Sequence, residues 1–334
     1  MAPLTSSSSN PYKLRKHGRP RTDDFRVFFE KDGNPVSPFH DIPLYADKEN
    51  QIFNMVVEIP RWTNEKYEVS RNRTLNPIHQ DQKNGKPRFV RNRFPHHGYI
   101  WNYGALPQTW EDPNHVNPDT KAKGDNDPID ACDIAQPVSY TGEVKQVKIL
   151  GILALIDSGQ TDWKLIVIDV RDATANDMHD IDDVERLMPG FLTATREWFR
   201  LYKVPDGEPP NDFAFDGKYR TRQVALDIID ECANAWDNLI TGKTKPGKIS
   251  RTNVTVEKSP FKVDPDELKI PKSENLKPAP KPKVVDEWFF VPANDVPDED
   301  NKPAESSEAW LVRPKPEARP RADMWQVPHS VKTL

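Results

Sequence analysis

The 334-residue chain has little cysteine and no long apolar run, and each shortage excludes a class of protein. Its two cysteines, Cys132 and Cys232, are too few for a disulfide framework and predict reduced thiols in an intracellular setting. No stretch approaches the roughly 18–20 apolar residues that a membrane-spanning helix needs, and no apolar signal follows Met1. A formal net charge of −5 argues against general nucleic-acid affinity. We expect a cytoplasmic protein, with a nuclear or mitochondrial pool left open.

Apolar residues are also scarce, at 36% of the chain with a mean hydropathy of −0.79. Yet 9 Trp, 14 Phe and 8 Tyr are too many for a chain without a folded core. Uneven distribution explains the contrast, because 14 of the 33 prolines follow residue 244. We expect a disordered basic arm over 1–24, one folded domain over 25–245, a Pro/Lys-rich linker over 246–285 and a disordered acidic, Pro-rich tail over 293–334.

The folded region begins with strand-like patterns and ends with helical ones. Strands are predicted in a hairpin over 25–36 with a turn at Asp32-Gly33-Asn34, and over Ile52–Ile59, Lys66–Val69, Val144–Ile156 and Leu165–Val170. Helices are predicted over Asp182–Met188, Phe191–Tyr202 and Ala225–Ile240, the last ending at Gly242 and burying Cys232 as a structural thiol. Short strands, long polar connections and later helices favour a mainly β, α+β fold with a barrel.

The strongest chemical signal is an acidic loop that begins at Gly124. Asp125, Asp127, Asp130 and Asp133 place four carboxylates within nine residues, interrupted by Pro128. Such crowding is unfavourable unless cations neutralise it. The ligand spacing of an EF-hand is missing, and oxygen ligands without His or Cys indicate Mg²⁺ or Mn²⁺. An acidic turn without a metal is the alternative for this loop taken alone.

Two further segments add charged side chains that share strand faces. Asp157 and Asp162 flank a turn at Gly159, and Lys164 lies two residues after Asp162 on the same face. Glu58, Lys66, Glu68, Arg88, Tyr99, Tyr103, Tyr202 and Lys203 complete the set. Carboxylates for metals together with cations and phenols for phosphate oxygens indicate a Mg²⁺-dependent phosphoryl hydrolase or transferase.

Five motifs in order resemble the family I soluble inorganic pyrophosphatases, most closely the fungal cytosolic type. They are Phe39-His-Asp-Ile-Pro-Leu-Tyr, Val57-Glu-Ile-Pro-Arg, Phe94-Pro-His-His-Gly-Tyr-Ile, Gly124-Asp-Asn-Asp-Pro-Ile-Asp and Asp162-Trp-Lys. The resemblance covers about residues 25–245 and returns at Glu287-Trp-Phe-Phe, so 286–292 is expected to dock back on the domain. It implies an OB-like five-stranded β-barrel, a homodimer, and hydrolysis of inorganic pyrophosphate to two phosphates by a metal-activated water without a covalent intermediate.

The resemblance also implies a role for each site residue, with several Mg²⁺ per site and Mn²⁺ as a substitute. Asp127 would orient or deprotonate the water, and Tyr99 would support the site. Metal ligands would be Asp125, Asp130, Asp157, Asp162, Glu58 and Glu68. The substrate would be held by Lys66, Arg88, Tyr103, Lys164, Tyr202 and Lys203, of which Lys66, Arg88 and Tyr103 are also counted as catalytic. Ser158 and Gln160 depart from the acidic residues usual in that turn.

Two other functions compete with the enzyme reading. A divergent paralogue could act as a scaffold through its tail, where islands around Trp310 and Trp325 are candidate anchors for a protein partner. An OB-like barrel could bind nucleic acid with help from the basic arm, but its aromatic residues would need a basic groove. The expected cavity is acidic, so nucleic-acid binding is not expected. A membrane partner is not expected either, because the chain has no long apolar run.

Overall fold

The computed structural model describes residues 10–292, all within the first of the chain's two units, Met1–Val296. The tail over 293–334 with its Trp islands, and residues 1–9, lie outside the described residues. The strands are β1 (Tyr12–His17), β2 (Arg26–Lys31), β3 (Asn34–Val36), β4 (Tyr45–Asp47), β5 (Ile52–Ile59), β6 (Tyr67–Val69), β7 (Ile78–Gln80), β8 (Gln82–Lys83), β9 (Lys86–Pro87), β10 (Asn102–Ala105), β11 (Lys123–Gly124), β12 (Asp130–Asp133), β13 (Val144–Asp157), β14 (Gln160–Asp169), β15 (Asp212–Phe213) and β16 (Arg220–Thr221).

Helices follow the main strands, as the sequence predicts. They are α1 (Ile181–Leu187), α2 (Phe191–Leu201), α3 (Arg222–Ile240) and α4 (Lys283–Asp286), with single 3₁₀ turns at Ala175–Asp177, Val204–Asp206, Ala214–Gly217 and Pro265–Glu267. Asp180 begins α1 with a capping box to Asp183. Within residues 10–292, no helix has both the length and the apolar character required to cross a membrane.

Five strands form a closed barrel, which confirms the fold expected from the sequence. The ring runs β5, β10, β12, β14, β13 and returns to β5. Its β12–β14 pair is parallel and the other four pairs are antiparallel. A second sheet joins β1, β2, β7 and β6, with β3 beside β2 in the predicted hairpin, where Asp32 and Gly33 adopt positive φ angles of 53° and 87°.

The barrel strands are buried on both faces. Their sequences are therefore continuous apolar runs and do not alternate between apolar and polar residues. Leu165 and Val167 of β14 pack in a cluster with Ile229 and Cys232 of α3. Residues of the opposite parity, such as Ile166, belong to a second cluster that includes the aromatic residues of α2. The strand positions that carry polar groups at the cavity share this second face, and it is here that the site is built.

The basic segment that was expected to be disordered is a strand. Tyr12–His17 pairs antiparallel with β2 over six residues, with Tyr12 buried and Arg15 ion-paired to Glu30 at 2.6 Å. Arg19 continues the attachment by donating to the carbonyl of Lys277. The strand carries little apolar surface because one side faces solvent, which is why composition alone suggested a solvated arm.

Residues 246–285, expected to be an extended Pro/Lys-rich linker, are extended and are also attached to the domain at several points. Asp41 accepts hydrogen bonds from the backbone N–H groups of Val254 and Thr255, both at 2.8 Å, and Val256 is buried. Backbone bonds then run from Glu274 to Lys16 and from Ala279 to Pro20. Proline fixes the extended conformation without preventing these contacts.

Residues 286–292 lie against the motif at Phe94. Phe289 exchanges backbone hydrogen bonds with Asn92 and Phe94, each at 3.0 Å. The ring of Phe94 stacks on Phe290 at 5.4 Å and meets Trp288 edge-on at 5.8 Å. These side chains remain exposed, so this contact leaves an aromatic surface open.

Candidate active site

One cavity of about 370 Å³ collects every site residue named from the sequence. Its lining includes Glu58, Lys66, Glu68, Arg88, Tyr99, Tyr103, Asp125, Asp127, Asp130, Asp157, Asp162, Lys164, Tyr202 and Lys203. Ser158 and Gln160, the two departures noted in the turn, also line it. Arg71 and Asp81 also line this cavity, and neither was predicted from the sequence.

The parallel β12–β14 pair builds the base of the cavity. Its register places Asp130 opposite Lys164, and strand alternation puts Asp162 on the same face as Lys164. Lys164 Nζ donates to both carboxylates and, at 3.0 Å, contacts the hydroxyl of Tyr103. Burial lowers the pKa of Lys164, but Asp130 and Asp162 outweigh it and raise the pKa well above its ordinary value. The ammonium group is therefore fixed in its charged form.

The turn between β13 and β14 forms one wall. Ser158 and Gly159 take positive φ angles of 52° and 81°, which reverses the chain and leaves Asp157 facing the cavity. The hydroxyl of Tyr202 donates to Asp157 at 2.8 Å and Lys203 Nζ donates to its other oxygen. Burial raises the pKa of Asp157, but the bonds from Lys203 and Tyr202 outweigh it and lower the pKa. This carboxylate is held ionised.

The opposite wall comes from β6 and its neighbours. Lys66 Nζ lies 3.1 Å from Glu68, as their two-residue spacing on one strand predicts. Buried Glu58 accepts from the backbone N–H of Val69 at 2.6 Å, and burial raises its pKa well above the ordinary value. Arg88 pairs with Asp81 at 3.0 Å. Cations and carboxylates thus alternate on this wall.

The acidic loop supplies the remaining carboxylates from below. Gly124 is required there, because a Cβ would lie 2.4 Å from the backbone carbonyl carbon of Glu111. The backbone N–H of Asp127 donates to Asp125 at 3.0 Å. Burial raises the pKa of Asp127 to about 7, while the charge of Arg71 opposes the rise. The loop thus brings Asp125 and Asp127 into the cavity together with Arg71.

Three neighbouring carboxylates, two of them buried, fit a divalent cation. One oxygen each from Glu111, Asp125 and Asp162 lie within 4.8 Å of one another. Burial, followed by the neighbouring carboxylates, raises the pKa of Asp125 and Glu111 well above their ordinary values. Glu111 Oε1 accepts from the backbone of Trp163, whereas Oε2 is buried with no hydrogen-bond partner. Buried polar atoms normally have a partner, so an unpartnered carboxylate oxygen beside two others fits a metal ligand.

Glu111 was not foreseen, because its segment gives no periodic signal. It lies in the long polar connection after β10 and reaches the site through backbone bonds with Asn126 and Asp127. Conversely, Asp133, the last carboxylate of the acidic run, points away from the cavity and is buried with Lys145 and Asp169. Neither His96 nor its neighbour His97 lines the cavity.

A barrel with carboxylates and cations facing one cavity defines a metal-dependent enzyme of phosphoryl chemistry. Residues 55–237 match the family model described as inorganic pyrophosphatase. The chain is 60% identical over 284 residues to the inorganic pyrophosphatase of Neurospora crassa, covering 85% of this chain and 98% of that protein. Against the Emericella nidulans inorganic pyrophosphatase, identity is 59% over 281 residues, with 84% and 98% covered. This chain belongs to the inorganic pyrophosphatase family.

Solved structures agree with the sequence comparisons. The inorganic pyrophosphatase of Schistosoma japonicum superposes with a TM-score of 0.77 at 45% identity. The match covers 84% of this chain and 100% of that chain. A truncated Trypanosoma cruzi vacuolar soluble pyrophosphatase in complex with PPi matches with a TM-score of 0.64 at 40% identity, covering 72% and 97%. The sequence and structure comparisons therefore agree on the fold and the family.

Proposed function

We propose that this chain hydrolyses inorganic pyrophosphate to two phosphates with Mg²⁺ as its metal. The observation that carries the proposal is the cavity in which carboxylates lie between two sets of cations. Phosphate release from pyrophosphate by the full chain, with Mg²⁺ and with excess chelator, is the test. Turnover that survives chelation would contradict it, as would a metal-loaded chain that releases no phosphate.

The substrate is held between two cationic walls in this proposal. Lys66 and Arg88 lie on one side and Tyr202 and Lys203 on the other, with Lys164 and Tyr103 at the base. A pyrophosphate placed between them presents oxygens in both directions, so one phosphoryl group meets each set. Tyr99, whose pKa burial raises to about 12, stays neutral and supports the first wall.

The metal is held by oxygen ligands alone. Asp125, Asp130 and Asp162 would bind it at the base, Glu111 would add a fourth carboxylate, and outer ions would use Asp157, Glu58 and Glu68. When bound, divalent cations neutralise phosphate charge and activate water. Mg²⁺ suits a site of carboxylates and water, and Mn²⁺ accepts the same ligands.

Asp127 is the group that would orient the attacking water and take its proton. A general base works best when its pKa lies close to the working pH. Among residues 10–292, Ser158 is the only serine that lines the cavity; its hydroxyl donates at 3.0 Å to Asp157, whose lowered pKa makes it a poor base. We therefore propose direct attack by water without a phosphoenzyme. Trapping a phosphorylated side chain during turnover would contradict this step.

We further propose a homodimer through the aromatic surface left open at Phe94. Phe94, Trp288 and Phe290 are 54%, 47% and 66% exposed, and the ring of Phe94 contacts the other two. A contiguous apolar surface of this kind is unfavourable in water and marks an interaction site. Light scattering after gel filtration should show a dimer that Trp288→Ser shifts towards monomer. Tyr140→Ser, at another exposed aromatic side chain, is the matched control.

A cytoplasmic location completes the proposal. Cys132 and Cys232 are both buried and form no disulfide, as expected for a protein in a reducing compartment. Fractionation of cells that express the full chain tests this location, and recovery with a membrane or organelle fraction would contradict it.

A further inference from the structure

A groove outside the catalytic cavity gathers cationic side chains that the proposed reaction does not use. Its lining combines Arg26, Arg73 and Lys269 with a single carboxylate, that of Glu267. Its volume is about 630 Å³, and Arg26 and Arg73 also line a neighbouring groove. In a chain with a formal net charge of −5, this surface is a local excess of positive charge.

Arg26 is a buried charge with unused hydrogen-bonding capacity. The residue is 8% exposed, and its Nη1 donates to the backbone carbonyls of Asp23 and Phe25, both at 2.6 Å. Its Nη2 lies 4.0 Å from the Asp23 carboxylate, which is beyond hydrogen-bond distance. Gln82 already donates to that carboxylate. Within residues 10–292, Nη2 of Arg26 makes no hydrogen bond to a protein acceptor, and the residue lines the groove.

Arg73 brings a second guanidinium to the same place. Burial lowers the pKa of Arg26 and the charge of Arg73 lowers it further, whereas Asp23 and Asp24 oppose the shift. The two guanidinium groups therefore lie close enough to repel each other. Arg73 is exposed and has no acidic partner among residues 10–292. Two like charges of this kind are stabilised by an anion that accepts hydrogen bonds from both.

The loop that carries Arg73 is anchored immediately after that residue. Leu75 is 2% exposed, and the side-chain amide of Asn76 donates to the carbonyls of Ser70 at 3.0 Å and Ser250 at 3.2 Å. A ligand that binds here would pay little ordering entropy. The same loop carries Arg71 into the catalytic cavity, so the groove lies beside the place where phosphate is released.

We propose that Arg26 and Arg73 form a second anion site, which binds a phosphate or pyrophosphate ion outside the catalytic cavity. A phosphoryl group presents oxygens on several sides and accepts from two converging guanidinium groups at once, which a planar carboxylate does less well. Lys269 adds a third positive charge to the same groove.

Titration calorimetry of the full chain in excess chelator tests the site, because catalysis is then absent. Inorganic phosphate and pyrophosphate are titrated separately at low salt into wild type, Arg73→Gln, Arg73→Lys and the cavity variant Lys66→Gln. We expect Arg73→Gln to weaken binding by about tenfold or more, as loss of a charge-assisted hydrogen bond does. Arg73→Lys should restore part of it, and Lys66→Gln should leave it in place.

Controls separate this site from the fold and from the cavity. Arg186→Gln removes an arginine that lines neither groove and should bind as wild type. Arg73→Gln should also keep wild-type turnover with Mg²⁺, which shows an intact fold. The tighter of the two ions identifies the ligand. Wild-type binding that is absent, unchanged in Arg73→Gln, or abolished in Lys66→Gln would overturn the proposal.

Discussion

Arg71 Nε lies 3.2 Å from Asp127 Oδ1, and each side chain is 37% exposed at the catalytic cavity. The pair joins a cation that sequence reasoning missed to the carboxylate proposed to activate water. Because both side chains reach solvent, the ion pair is weak, and Arg71 can leave Asp127 for a more strongly charged partner. A phosphate oxygen arriving at this position would compete with Asp127 for the guanidinium.

Arg71→Gln should therefore raise KM for pyrophosphate by about tenfold while kcat changes less, because a charge-assisted contact to substrate is lost. Steady-state kinetics with Mg²⁺ measure the two constants separately. Arg186→Gln, which removes an arginine elsewhere on the surface, is the matched control. A KM equal to that of wild type would show that Arg71 only pairs with Asp127.

Asp130→Asn and Asp133→Asn should fail in different ways although both positions lie on β12. Asp130 faces the cavity beside Lys164, so its loss should lower kcat/KM by roughly 10³-fold or more, as removal of a preorganised charged group does. Asp133 is buried against Lys145, so its loss should cost roughly 3 kcal/mol of stability and leave the chemistry of folded protein near wild type. Denaturant unfolding and turnover measure the two effects, and equal losses of activity would refute the assignment.

Calcium should inhibit the enzyme while binding to it. Ca²⁺ accepts more oxygen ligands at longer distances than Mg²⁺ and polarises water less, so the carboxylates would hold it without productive chemistry. Turnover with Mg²⁺ and increasing Ca²⁺ measures this, with Mn²⁺ as the ion expected to support activity. Equal rates with Ca²⁺ as the only metal would contradict the prediction.

His40 should make stability depend on pH between about 6.5 and 4. Its Nδ1 accepts from Trp236 at 3.0 Å, and burial lowers its pKa to about 4. As pH falls through 6.5, the unfolded chain takes up a proton before the folded one, so folding free energy is lost until pH 4 and not below it. The loss attributable to His40 is about 3 kcal/mol.

His40→Asn keeps an acceptor for Trp236 but does not titrate, so it isolates this contribution. Unfolding in denaturant at several pH values should show a shallower decline for the variant than for wild type. Parallel pH profiles for the two proteins would mean that His40 is not a buried neutral imidazole.

Local periodicity predicted the parts of the site that a single strand carries. Lys66 with Glu68, and Asp162 with Lys164, are two residues apart on extended chain, and both pairs are in contact. The contact of Lys164 with Asp130 depends instead on parallel pairing between strands distant in sequence, which spacing does not encode. The resemblance to a known family supplied that long-range information.

Features without a periodic signal were missed. Glu111 reaches the metal ligands from a long irregular connection through backbone bonds. Strand β1 was misread because Tyr12 is its only buried side chain, and a composition rich in lysine and arginine suggests a solvated arm. In both cases the deciding contacts lie far along the chain, so only the folded structure shows them.

Closure of the barrel has a consequence for how the enzyme meets other chains. Each of β5, β10, β12, β13 and β14 has a hydrogen-bonded neighbour on both sides. A ring of this kind presents no row of free amide and carbonyl groups on which a foreign strand could assemble. The strands that hold the site are thus shielded from cross-β aggregation, even though β13 and β14 carry long apolar runs.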